Sequence, residues 1–112
     1  MGAWGEALAA THLRQQGYRL LFQNWRQGPY EIDLIAWHQG ELVFVEVRTV
    51  SASTPFSPET SIGPDKQKAL RAAIEHFLAE NPAYSSLPAR IDVIGVRLTL
   101  PPEVVVLCDA FR

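Results

Sequence analysis

The fold of this chain is decided by the stretch EIDLIAWHQGELVFVEVR, residues 31–48. Residues 31–37 and 42–48 are each rich in aliphatic and aromatic side chains, which predicts two strands. The four residues between them, 38–41, include Gly40, as expected of a tight hairpin turn. The sequence therefore predicts an antiparallel hairpin.

The spacing of the charged residues across this hairpin suggests a metal site. If residues 39 and 40 form the loop, Asp33 lies opposite Glu46 and Glu31 lies opposite Arg48. Side chains alternate along a strand, so all four point to one face. Two like charges directly across a hairpin repel each other. A divalent cation between the carboxylates would remove that cost, because hard cations take carboxylate oxygens as ligands.

A less specific interpretation of the same residues stays open on the pattern alone. Glu31 would pair with Arg48, while Asp33 and Glu46 would sit at a solvated end of the sheet. The metal interpretation gains from the position of the acids, which interrupt two otherwise apolar strands. A buried like-charge pair would have strongly raised pKa values unless a cation compensates its charge.

The rest of the chain predicts two helices and three further strands. The helices are expected at residues 4–16 and 65–80, and the strands at residues 18–24, 91–98 and 104–108. The order α-β-β-β-α-β-β predicts an α/β fold in which helices flank a mixed β-sheet. The length predicts a single domain, 1–112. The Ser-, Thr- and Pro-rich residues 51–63 predict an exposed, mobile loop.

The composition predicts a soluble protein of the cytoplasm. No apolar run reaches the length of a membrane span, no secretory signal is evident, and the single cysteine, Cys108, excludes an internal disulfide. The net charge of −2 argues mildly against a nucleic-acid partner, since such proteins usually carry a basic face. It does not exclude one, because a metal-dependent nuclease concentrates acids at its site and these offset basic residues elsewhere.

Several short motifs resemble the YraN family of small bacterial proteins. The most specific are EIDLIA at residues 31–36 and VFVEVR at residues 43–48. The others are Gly5-Glu6, Gly17-Tyr18, Asn24-Trp25-Arg26, Lys66-Gln67 with Leu70, and RIDV at residues 90–93. The resemblance covers about residues 2–98. That family is similar to the PD-(D/E)xK nucleases, whose restriction-endonuclease-like fold is close to that of archaeal Holliday-junction resolvases.

The resemblance implies a restriction-endonuclease-like core and a catalytic site for phosphodiester hydrolysis. Asp33 matches the metal-binding acid, Glu46 the acid of the ExK element, and position 48 its lysine. Glu6 matches an acid from the first helix that would hold a second ion or a metal-bound water. The implied cofactor is Mg²⁺ or Mn²⁺, which would polarise the phosphate, generate hydroxide and stabilise the leaving oxygen.

The chain departs from that pattern at three positions. Arg48 stands where the nucleases have lysine, and arginine stays protonated, so it can stabilise charge or grip phosphate but cannot act as a base. Tyr30 stands where the family usually has glycine, which would narrow access to the site. Val50 stands where the family often has a basic residue, which removes a phosphate contact.

Basic residues outside the acidic motifs are expected to contact nucleic acid. They are Arg26, Lys66, Lys68 and Arg71. The last three lie within two turns of one helix and could track a phosphate backbone, although a solvated helix face explains them about as well. Lys66 is also expected to point into or near the acidic site.

These features favour a metal-dependent nuclease, or a nuclease-like protein, acting on structured or branched DNA. The alternative is a nucleic-acid-binding or adaptor module that keeps the fold without turnover, which Arg48 and the acidic pI favour. A third possibility is a scaffold that binds only protein. A homodimer would suit a two-fold symmetric junction.

Overall fold

The computed structural model describes residues 2–57 and 61–111 as a five-stranded sheet with two helices. The elements in chain order are α1 (Gly2–Gln15), β1 (Arg19–Gln27), β2 (Tyr30–His38), β3 (Glu41–Val50), α2 (Pro64–Glu80), a 3-10 turn (Pro82–Tyr84), β4 (Ala89–Arg97) and β5 (Glu103–Leu107). The predicted α/β class and the order α-β-β-β-α-β-β are confirmed. Within these residues no helix is long and apolar enough to cross a membrane.

The strands lie side by side in the order β1-β2-β3-β4-β5. Neighbouring strands are antiparallel except for β3 and β4, which are parallel. A parallel pair needs a long crossover connection, and the segment containing α2 provides it. The sheet is therefore mixed, as predicted.

The predicted hairpin forms in the predicted register over its first five pairs. Gln39 and Gly40 have φ values of +51° and +79°, as a two-residue type I′ turn requires. Pairing runs from His38–Glu41 to Leu34–Val45 and ends there. The expected pairing of Glu31 with Arg48 is wrong, because this end of β2 stays with β1 and Glu31 lies opposite Arg26.

The two helices cover opposite faces of the sheet. From α1, the buried residues Ala9, Ala10 and Leu13 pack with Val43 and Val45 of β3. The core on the other face consists of Leu70, Ala73 and Phe77 of α2 with Ile35, Phe44 and Val93 of the sheet. Both faces of the central strands are therefore apolar, which is why their sequences read as nearly continuous hydrophobic runs.

The end of α1 is set by Gly17. Its φ of +88° is a left-handed conformation that glycine adopts without steric cost. The Gly17 N–H donates to the Arg14 carbonyl and the Tyr18 N–H to the Leu13 carbonyl, at 3.1 and 2.9 Å. This is the Schellman arrangement, and it turns the chain from α1 directly into β1.

The connection from β3 to α2 is less exposed than the sequence predicts. Residues 51–55 are exposed, but Phe56 packs against the core on the α2 face, and Ser61 and Ile62 are buried. Residues 58–60 of the predicted loop lie outside the described residues. Arg97 also holds the start of this connection, since its Nη1 donates to the carbonyls of residues 51, 52 and 54 at 2.8–3.3 Å.

Candidate active site at the fork between β2 and β3

The acidic pair lies where β2 and β3 separate. Leu34–Val45 is the last pair of the ladder, and Asp33 and Glu46 come directly after it on the two strands. Asp33 Oδ2 accepts a hydrogen bond from the backbone N–H of Val47 at 2.8 Å. A side-chain oxygen thus does what a backbone carbonyl does in a continuing ladder, so the strands can diverge without leaving that donor unpaired.

The residues beyond this point follow different neighbours. Glu31 and Ile32 of β2 pair with β1, whereas β3 continues beside β4 from Glu46–Val93 to Val50–Arg97. The sheet therefore opens into a fork whose apex carries the two carboxyl groups. We refer to Asp33 and Glu46 as the carboxylate pair and to this opening as the fork.

Burial makes both groups of the carboxylate pair hard to ionise, and for Glu46 the charge of Asp33 adds to this effect. The Glu46 side chain is only 6% exposed. Burial, followed by the charge of Asp33, raises the pKa of Glu46 to about 7. Burial also raises the pKa of Asp33, although the Val47 N–H and the charge of Lys66 oppose that rise. Burial thus disfavours the charged form of both carboxyl groups, and a cation between them would stabilise it.

Lys66 of α2 reaches this pair, as expected. Its Nζ lies 3.5 Å from Glu46 Oε2, and its side chain is 34% exposed. The ammonium charge lowers the pKa of both carboxyl groups. The amine therefore stands between the buried acids and solvent.

Glu6 approaches the fork from the opposite face of the sheet. Gly5 favours this close approach of α1 to β3, because a Cβ at position 5 would lie 3.2 Å from Thr49 Oγ1 and would require that side chain to shift. Burial and then the charge of Asp33 raise the pKa of Glu6. Its Oε1 is buried and has no hydrogen-bond partner among the described residues.

Asn24 is a site residue that the sequence reasoning did not identify. Its side chain hydrogen-bonds Glu6 and lowers the pKa of that carboxyl group. Its φ of +53° is left-handed. Asparagine is enriched among non-glycine residues with positive φ. An asparagine within a strand-like run was therefore the sequence signal for a backbone irregularity at this position.

The two arginines predicted for the site lie at its rim. Arg48 is exposed, and its charge lowers the pKa of Glu46 less than that of Lys66 does. Arg26 is 72% exposed and forms an ion pair with Glu31 at 3.4 Å. Its charge also lowers the pKa of Glu6. Both arginines are thus near the acids without being buried against them.

Helix α2 divides its three basic residues between two faces. Lys66 faces the fork, whereas Lys68 and Arg71 line a surface depression with Glu75 on the outer side of the helix. The Arg71 guanidinium lies 5.2 Å from the centroid of the Phe111 ring. A single phosphate backbone that contacts Lys66 inside the fork would therefore have to pass around the helix to reach the other two.

Tyr30, at the start of β2, is held by ring stacking. Its ring centroid lies 4.5 Å from that of His76, with the planes 22° apart. The neighbouring Trp25 packs edge to face on Phe77 in the core of the α2 face. This stacking holds the Tyr30 ring against α2.

The residues at the fork fit a hard divalent cation such as Mg²⁺. No group of three or more His, Cys, Asp or Glu side chains within residues 2–57 and 61–111 is arranged to hold a metal by itself. Mg²⁺ does not require one, since it is usually bound through one or two carboxylates together with water and substrate phosphate. The carboxylate pair supplies that number, and Glu6, which interacts electrostatically with Asp33, has an unpartnered Oε1 that can accept a hydrogen bond from water.

The chain is similar to proteins of one family over most of its length. The model of the family described as "Uncharacterised protein family UPF0102" matches residues 5–96. A UPF0102 protein of Roseiflexus castenholzii is 42% identical over 100 residues, covering 89% of this chain and 81% of the relative. One of Treponema pallidum is 40% identical over 97 residues, covering 87% and 77%. One of Syntrophus aciditrophicus is 38% identical over 114 residues, covering 99% and 87%.

Proposed function

We propose that this chain, which belongs to the UPF0102 family, also called the YraN family, is a metal-dependent nuclease. It would hydrolyse phosphodiester bonds in structured or branched DNA. The observation that carries the proposal is the carboxylate pair, Asp33 and Glu46, buried together at the fork. The bond from the Val47 N–H gives Asp33 a role in the fold, but it does not require a second buried acid, Glu46, beside it.

The residues of the chain divide the work of such a reaction. Asp33 and Glu46 would hold Mg²⁺ or Mn²⁺, which when bound polarises the phosphate and lowers the pKa of a coordinated water. Glu6 would accept a proton or a hydrogen bond from water at its unpartnered Oε1. The hydrogen bond from the Val47 N–H fixes the orientation of the Asp33 carboxylate. This carboxylate would then need little rearrangement during the reaction.

The fold agrees with the nuclease resemblance. A restriction-endonuclease-like core implies an antiparallel meander followed by a crossover helix and a strand parallel to the third. Strands β1 to β3, helix α2 and strand β4 have that arrangement. Fold alone does not define activity, so this agreement supports the proposal only together with the acids.

Cleavage of a labelled panel tests the proposal. The panel contains duplex, single strand, flap and four-way junction, each with Mg²⁺ or Mn²⁺, and the variants are Asp33→Ala and Glu46→Ala. Glu75→Gln is the matched control, since Glu75 is an exposed acid of α2. Metal-dependent products that disappear in the first two variants and persist in the control would support the nuclease. The absence of products from every substrate would refute it.

The adaptor without turnover is favoured by one observation, the exposed arginine at position 48. An arginine cannot supply the base that a lysine could. Salt-sensitive binding to one of the panel structures, with no cleavage of any, would support this second function.

A homodimer stays a prediction, which sedimentation velocity with and without a four-way junction would test.

A further inference from the structure

We propose that Lys66, and not Arg48, is the cation that contacts the substrate phosphate beside the carboxylate pair. This inference rests on the proposed function and assigns one contact within it. The sequence pattern places the cation two residues after Glu46 on the same strand, whereas the tertiary structure offers a different amine from α2.

The position of Lys66 is suited to a ligand that enters from solvent. Its Nζ is 3.5 Å from Glu46 Oε2, and about a third of its side chain is exposed. An ammonium group has three N–H donors, and the contact with Glu46 engages one side of it. The outer side therefore remains available to an oxygen of a phosphate that lies on the carboxylates.

The place of Lys66 in its helix indicates that the charge is there for the site. Helix α2 begins at Pro64, so Lys66 is its third residue. A cation in the first turn is unfavourable because the N-terminus of a helix already carries partial positive charge. The preceding Gly63 offers no side-chain cap to offset it. Asp65 in the same turn offsets part of this cost, and the contact of Lys66 with Glu46 offsets more of it.

Arg48 has the weaker electrostatic effect on the carboxylate pair. It is exposed and affects the pKa of Glu46 less than Lys66 does, and the principal influences on Asp33 include Lys66. Beyond the apex of the fork, Arg48 lies opposite Gly95 of β4. An arginine at this place suits a contact with more distant backbone phosphates.

Four measurements on five proteins test the assignment. The proteins are wild type, Lys66→Met, Lys66→Arg and Arg48→Met, with Arg14→Met as an exposed control at the far end of α1. Binding to a labelled four-way junction and to a single strand is measured in Ca²⁺ over a range of salt. Cleavage of the best substrate is measured in Mg²⁺. Urea unfolding shows whether each variant is folded, and calorimetric titration gives its affinity for Mn²⁺.

We expect Lys66→Met to lower cleavage by about 100-fold, the usual effect of removing one charge-stabilising donor. It should also flatten the slope of log K against log salt by about 0.7–0.9, the value for one phosphate contact. Lys66→Arg should restore the slope because it restores the charge. The fold-reduction in cleavage should be at least ten times smaller for Arg48→Met than for Lys66→Met. Arg14→Met should cleave and bind as wild type does.

Three outcomes would overturn the inference. Lys66→Met could match wild type in slope and cleavage, or Arg48→Met could show the larger loss. Lys66→Met could also lose Mn²⁺ binding, which would make Lys66 a residue that positions the carboxylates. A wild-type protein that neither cuts nor binds would refute the proposed function and this inference together, whereas an active wild type with an indifferent Lys66→Met would refute the inference alone.

Discussion

Asp33 Oδ2 accepts the backbone N–H of Val47 at 2.8 Å, so a side chain of one strand completes the hydrogen bonding of the next at the point where the two strands separate. This contact fixes the carboxylate in the fork and lets the sheet open without an unpaired donor. An amide oxygen can accept the same bond. Asp33→Asn is therefore a change that removes charge from the site while keeping the local structure.

The stability of the metal-free protein should fall as pH rises through the range of Glu46. Its pKa is about 7 when folded and 4.5 ordinarily, so the folded state binds more protons between these values. Stability is then full at low pH and decreases from about pH 4.5 to 7, by roughly 3 kcal/mol in total. Urea unfolding from pH 4.5 to 8 measures this. Glu46→Gln should show a weaker dependence than wild type, and Glu75→Gln an equal one. A wild-type stability that rises across this window would contradict the prediction.

Metal binding should require both acids and should strengthen as Glu46 ionises. Calorimetric titration with Mn²⁺ should show affinity rising from pH 6 to 8, because the ligand must lose its proton. Asp33→Asn and Glu46→Ala should each lower the affinity at least tenfold. Glu46→Ala should be as stable as wild type or more so, since it removes repulsion from Asp33. A large loss of stability in that variant would show that Glu46 is structural instead.

Gly95 should be essential for the packing of the β3–α2 connection. A Cβ at this position would lie 2.7 Å from Cε2 of Phe56. We expect Gly95→Ala to destabilise the protein by about 1–3 kcal/mol, the usual effect of overpacking. In a Phe56→Ala background the same change should be neutral or stabilising, because alanine costs less entropy than glycine in a strand. Equal effects in the two backgrounds, measured by urea unfolding, would show that the ring is not the cause.

Asp92 should be a structural acid without a part in the site. It is fully buried and accepts hydrogen bonds from Tyr18 Oη, Arg90 Nε and the Asp109 N–H at 2.9–3.0 Å. Asp92→Ala should cost about 3–5 kcal/mol, because it leaves Arg90 buried without this partner. Tyr18→Phe should cost about 1–2 kcal/mol.

The Asp92 prediction is checked by chemical unfolding, with the double variant Arg90→Met, Asp92→Leu as a comparison. Replacing both charges should recover much of the loss, since two apolar side chains leave no charge buried. A double variant less stable than Asp92→Ala would show that the polar network itself stabilises the fold.

Local chemistry was enough to predict the secondary structure and the first five pairs of the hairpin register. The left-handed turn at Gln39 and Gly40 and the two-residue alternation fix which residues of β2 and β3 face each other. The end of α1 follows from Gly17 in the same way. Each of these features depends on residues close together in the chain, so the sequence pattern carries them.

Burial in the β3–α2 connection could not be predicted in this way. Phe56 and Ile62 are single apolar residues in a polar stretch, without a helical or strand period. Their packing depends on distant partners, such as Gly95 of β4 under the Phe56 ring. A periodic pattern reports the faces of regular elements and is silent about such contacts.

By itself the sequence determined the strands, their order, and the two acids that meet across the hairpin. Only the tertiary structure decided that the ladder stops at Leu34–Val45, that Glu31 stays with β1, and that the Lys66 amine lies 3.5 Å from Glu46. The physical reason is the distance along the chain. Pairing across a two-residue turn is set by local geometry, whereas the approach of α2 depends on how its apolar face packs on the sheet, and no local pattern encodes that packing.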